Sequence, residues 1–110
     1  MNTYETLLSH SSMEPGSVSD TILSISGVIE TQRKSPRLCF ADLTYTSSGN
    51  QHTIQLMLSR NLGLGIPGLH SLTTWYEEVV TDDLVDVTGQ VIMSNHGVLS
   101  IAVQDWSFTQ

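Results

Sequence analysis

Cysteine, positive charge and long apolar runs are all scarce in this sequence, and each scarcity closes off a class of protein. The one cysteine, Cys39, has no internal partner, so no disulfide frame holds the fold, in keeping with a reducing compartment. No apolar run approaches the roughly eighteen residues that a membrane helix needs, so no membrane partner is expected. The opening MNTYETLLSHSSMEPG has no basic segment leading into an apolar one and does not read as a secretory signal. A cytoplasmic location follows as the expectation. Lys and Arg number 4 against 11 Asp and Glu, for a net charge of −7. Gripping nucleic acid by bulk charge requires many more cations than that.

The few cations are gathered rather than scattered. Arg33, Lys34, Arg37 and Arg60 all fall between positions 33 and 60, where Asp42 is the sole acid, and the first three immediately precede Phe40. Charge alone leaves two readings open: a solvated loop, or a small positive face beside an exposed aromatic. With 110 residues, 39% of them hydrophobic, the chain has room for one domain with a core of its own.

Hydrophobic periodicity supplies the elements. Residues 1–20 are rich in Ser, are broken by Pro15 and Gly16, and read as a flexible N-terminal arm, leaving 21–110 as the folded domain. From Thr21 the period becomes two. Leu23, Ile25, Gly27 and Ile29 share one face, with Gly27 marking a bend or bulge. In LCFADLTY the Cys39, Ala41 and Leu43 side should face the core, because Asp42 on the other side resists burial, and Phe40 then points outward. SSGN at 47–50 is a turn signal. Beyond it Ile54, Leu56 and Leu58 point inward, while Gln55 and Met57 share the outer face with Phe40.

Glycines and Pro67 break the pattern at 63–68, and LHSLTTWYEEVV then carries Leu69, Leu72, Tyr76, Val79 and Val80 at helical spacing. Two further strands follow: Val85, Val87, Gly89, Val91 and Met93 on one face of the first, and Leu99, Ile101 and Val103 inward on the second. Five short strands with one helix between the third and fourth predict an all-β, five-stranded OB-fold Greek-key barrel. Such barrels bind oligonucleotides or oligosaccharides across their second and third strands. Phe40, Gln55 and the basic loop lie there: cations for phosphates, an aromatic for a base, an amide for its edge.

Four blocks, SGVIETQRKSPRLCFADL, HTIQLML, DDLVDVTGQV and GVLSIAVQDWSF, come in the order and pattern of a known family. From Ile25 to Phe108 the chain resembles the N-terminal anticodon-binding domain of class IIb aminoacyl-tRNA synthetases, lysyl-tRNA synthetase above all. The resemblance implies that Phe40 stacks on the central anticodon base and that Arg33 and Gln55 contact it, with Lys34 and Arg37 steering phosphates. One departure stands out: Val98 in GVLSI occupies a position where many family members carry a glutamate that helps define the bound nucleotides. After Phe108 only Thr109 and Gln110 remain, so the class II motifs for ATP, amino acid and acceptor end are missing and no aminoacylation is expected.

Other constellations offer less. His10, His52, His70 and His96 have no zinc spacing, so neither a metal nor a cofactor is expected. Ser, His and Asp occur without a nucleophile elbow. GLGLGIPG lacks both the Gly-Lys-Ser/Thr ending and the βαβ setting of a phosphate loop. Glu77, Glu78, Asp82 and Asp83 oppose the dipole at a helix C-terminus and read best as solubilising charge. Trp75 and Trp106, off the main helix face and on the outer side of the last strand by alternation, read as packing residues. The alternative to tRNA or other single-stranded nucleic acid as partner is a protein, including a second copy of this chain, held by an acidic OB-fold that has lost RNA binding.

Overall fold

A computed structural model describes residues 3–35, 38–59 and 72–109, so Arg37, Arg60, His70 and the glycine-rich run at 63–68 lie outside the described residues. The alternating stretches form five strands: β1 (Val18–Lys34), β2 (Leu38–Ser47), β3 (Asn50–Ser59), β4 (Leu84–Met93) and β5 (Leu99–Phe108). Two short helices accompany them, α1 (Thr3–Leu8) before β1 and α2 (Leu72–Glu78) between β3 and β4. The sheet closes on itself in the order β1-β2-β3-β5-β4. Every pairing is antiparallel except β3 with β5, a parallel seam of three residue pairs. This is the expected OB-fold barrel. No helix among the described residues is long and apolar enough to cross a membrane.

Alternation fills the interior as the side-chain pattern requires. Cys39, Ala41 and Leu43 from β2 meet Ile54, Leu56 and Leu58 from β3, and Val85, Val87, Val91 and Ile101 close the other side, all buried. Burial pushes the Cys39 thiol pKa above its ordinary value, with the charges of Lys34 and Arg33 opposing that shift. The β2–β3 hairpin turns in two residues, Ser48 and Gly49, both at positive φ, the geometry whose twist matches the flanking strands.

The two interior glycines sit where the backbone of a neighbouring strand comes closest. A Cβ on Gly27 would collide with the Thr44 carbonyl oxygen of β2, and one on Gly89 with the Ala102 carbonyl oxygen of β5. Gly27 lies where β1 passes from pairing with β4 to pairing with β2, so close backbone approach there is a condition of closing the sheet.

Three sequence expectations are corrected. First, β1 begins at Val18 rather than Thr21, and residues 1–20 contain α1, whose Leu7 is 3% exposed and whose Tyr4 ring stacks on His52 at 3.7 Å. Secondly, α2 ends at Glu78, so Val80 leaves the helix face and is exposed, while Trp75 becomes fully buried. Thirdly, Trp106 lies inside. Gly89 pairs with Val103 but Thr88 pairs with Asp105, so Gln104 is an extra residue in β5 and the facing of every later side chain reverses. Trp106 therefore meets Trp75 edge to face, with centroids 5.2 Å apart.

Helix α2 caps this end of the barrel through one half-buried amide. Gln32 accepts from Trp75 Nε1 at 2.8 Å and donates to the Val79 carbonyl at 3.2 Å. Two of the four acids also prove structural. Asp83 accepts the Val80 amide at 2.9 Å, and the Asp82 N–H and Asp83 carbonyl bond to the backbone of Ile29, with Asp82 at φ 78°.

Candidate nucleic-acid interface

A second bulge places the site. Ile29 pairs with Leu43 and Thr31 with Asp42, so Glu30 is an extra residue in β1. Strict alternation from Ile25 and Ile29 would carry Arg33 into the barrel. The inserted residue instead turns Gln32 inward, to Trp75, and Arg33 outward, directly opposite Phe40 in the β1–β2 register. The hairpin register then sets Met57 opposite Phe40 and Gln55 opposite Asp42.

On this outer face the Arg33 guanidinium carbon lies 5.7 Å from the centre of the Phe40 ring. Arg33 Nη2 donates to Gln55 Oε1 at 3.1 Å. Gln55 Nε2 in turn donates to Ser100 Oγ at 3.0 Å, and that hydroxyl donates to the Val98 carbonyl at 3.0 Å. Arg33, Phe40 and Gln55 thus converge on this face, and a fourth residue, Ser100, joins them. The only local sign of Ser100 was its outward parity in VLSIAV. Its contact with Gln55 depends on the parallel β3–β5 seam, where the two residues are register partners.

Arg33, Phe40 and Gln55 line an open groove of about 610 Å³, with Ser100 buried behind Gln55. Leu38, Met57, Met93 and Val98 make much of its wall apolar, and Asn95 and His96 of the β4–β5 turn also line it. Val98 is 42% exposed and lines the groove with a hydrocarbon surface. Asp42 lies on the same outer face, its carboxylate accepting the Thr31 hydroxyl at 2.7 Å.

The remaining basic residues stand differently. Lys34 follows Arg33 by one position and so turns the opposite way: its ammonium lies 5.7 Å from the Tyr76 ring centre and donates to the Tyr76 carbonyl at 3.4 Å. It extends toward α2 and does not line the groove. Arg37 lies outside the described residues. The Tyr76 hydroxyl donates to the carbonyls of Ser35 and Leu38, the two described ends of the β1–β2 loop. Among the described residues no cluster of three His, Cys, Asp or Glu side chains could hold a metal ion.

Sequence comparison adds ancestry to this geometry. No protein-family model matches the chain. Lysine–tRNA ligase of Mycolicibacterium gilvum is 32% identical over 94 residues, 86% of this chain. That of Mycobacterium tuberculosis (strain H37Ra) is 30% identical over 102 residues, 93% of the chain. The chain is a partial homologue of lysine–tRNA ligases. It spans 17% of the length of the first relative and 19% of the second. The Kineococcus radiotolerans lysine–tRNA ligase repeats the pattern, with 31% identity over 86% of this chain and 17% of its own length. The 102 residues matched to the Mycobacterium tuberculosis enzyme, out of 110, necessarily include positions 33, 40, 55 and 100.

Proposed function

We propose that this chain is a non-catalytic module that binds the anticodon loop of a tRNA, in the cytoplasm, by stacking and hydrogen bonding. The observation that carries the reading is the convergence of Arg33, Phe40 and Gln55 on one outer face of an OB-fold barrel. An unstacked base lies against the Phe40 ring, an arrangement worth about 1–3 kcal/mol per base. The guanidinium of Arg33 supplies donors at the base edge, which suits uracil O4 and opposes the exocyclic amino group that cytosine carries at the same position. Arg37 and Lys34 add attraction for phosphates.

So few cations imply weak binding with a shallow salt dependence. Neutralising about three phosphates of a single strand gives a slope of log affinity against log salt near −2, at roughly 0.7 per phosphate. The homology with lysine–tRNA ligases supports the tRNA reading, and the small share of those enzymes that the chain spans supports a binding rather than a catalytic role.

The test is fluorescence anisotropy with labelled anticodon stem-loops that differ only in a central U or C, at two salt concentrations, with wild type and Phe40→Ala. Preference for U, loss on substitution and a shallow slope are expected. Binding to neither loop at high protein concentration overturns the reading. The apolar groove wall would then favour a protein partner or a second copy of the chain.

A further inference from the structure

We propose that Ser100 is a positioning residue: it fixes the direction of the Gln55 amide and thereby makes the groove select bases that present a carbonyl oxygen to Arg33. The selectivity half of this inference rests on the RNA-binding reading above.

Ser100 is fully buried, although its hydroxyl carries one proton and needs partners. That proton goes to the Val98 carbonyl at 3.0 Å, so toward Gln55 the oxygen offers only lone pairs. A glutamine amide has two orientations of nearly equal shape. Turned with its NH2 to Ser100, Gln55 presents its oxygen to the Arg33 guanidinium, and both ends are satisfied. Turned the other way, N–H would face N–H at Arg33, and the Ser100 hydroxyl could meet the Gln55 oxygen only by turning its proton away from the Val98 carbonyl. The four groups form a head-to-tail relay running from Arg33 through Gln55 and Ser100 to the Val98 carbonyl, and it has one self-consistent direction.

The consequence reaches the groove through Arg33. With one N–H held by Gln55 and the guanidinium beside the Phe40 ring, the remaining donors have a fixed aim. An oxygen acceptor on the base is matched there, and an amino group is not. Without the hydroxyl the amide keeps only its bond to Arg33, the pair can swing together, and an amino-bearing base meets an adaptable pair instead of a set one. Alanine occupies almost the volume of serine, so the substitution removes the hydrogen bonds while leaving the packing nearly intact.

The experiment compares wild type, Ser100→Ala and Ser100→Thr. Affinities for the two stem-loops with central U or C are measured by anisotropy, and the side-chain NH2 signals of Gln55 are followed by nitrogen-15 NMR in the RNA-free protein. Ser100→Ala should lower the ratio of U to C affinity about fivefold, the factor that one net hydrogen bond commands. Ser100→Thr should restore the ratio, and the Gln55 signals should shift and exchange faster only in the alanine variant. An unchanged ratio in Ser100→Ala overturns the selectivity claim. Gln55 signals that ignore the substitution overturn the positioning itself. Failure of the wild type to bind either loop overturns the RNA reading and the selectivity with it, and the NMR signals alone then decide the positioning.

Discussion

Two single-residue insertions in this barrel, one in β1 and one in β5, serve opposite ends. At Glu30 the extra residue turns Arg33 out of the barrel and sets it against Phe40, on the groove. At Gln104 it turns Trp106 into the barrel and sets it against Trp75, in the core. The device is identical, a one-residue reversal of facing. What differs is what awaits the turned side chain: open solvent and an aromatic ring in one case, a closed end capped by α2 in the other. A bulge therefore carries no meaning alone, and the neighbouring strand decides whether it builds a site or a core.

The core end is the more sensitive of the two. Replacing Trp106 with alanine removes a side chain only 2% exposed that meets both Trp75 and Phe108. The expected loss is about 3–5 kcal/mol of folding stability, read from urea unfolding, with the groove residues unaltered in any fraction that stays folded. At the groove end, Phe40→Ala should weaken stem-loop binding by about 1–3 kcal/mol while changing the unfolding midpoint far less, because the ring is only partly covered. A Phe40→Ala variant as unstable as Trp106→Ala would show that both bulges serve packing.

The Glu30 bulge has its own support, and this sharpens the contrast. The amide of Asp82, at φ 78°, donates to the Ile29 carbonyl at 2.8 Å beside the inserted residue. Asp82→Val should cost about 1–2 kcal/mol because a β-branched residue resists that backbone region, whereas Asp82→Gly should be nearly neutral. Thermal unfolding of the two variants checks this. The smallest effect concerns Asp86, whose carboxyl is held below the ordinary carboxylate pKa by hydrogen bonds from Ser26 and then Thr109. A lowered folded-state pKa stabilises the fold above the ordinary carboxylate value, and that contribution fades as pH falls through the lowered one. In an NMR titration Ser26→Ala should move the Asp86 midpoint upward and flatten the acid limb of stability. An unmoved midpoint would remove Ser26 as the cause.

Much of the architecture was legible because it is written locally. Cys39, Ala41 and Leu43 are buried because a strand alternates and Asp42 cannot occupy the inner side. Ser48 and Gly49 make the turn that the SSGN signal implied, and Gly27 and Gly89 sit at close backbone approaches of the kind for which a glycine in mid-strand argues. The groove set was legible only through resemblance for Arg33, since alternation by itself sends that residue inward. Trp106 was misassigned for the same reason, as an inserted residue looks like any other until its partner strand is known. Lys34 was grouped with the groove by its neighbours in sequence, yet its side chain turns toward Tyr76.

The sequence by itself determined the strands, their inward faces, the hairpin turn and the gathering of cations around Phe40, because each depends on interactions within a few residues. Only the tertiary structure decided which residues oppose which across strands. Register is a property of two segments at once, and a single bulge in either resets it. The Arg33–Gln55–Ser100 relay joins three strands through the β1–β2–β3–β5 closure, so no stretch of the chain contains it.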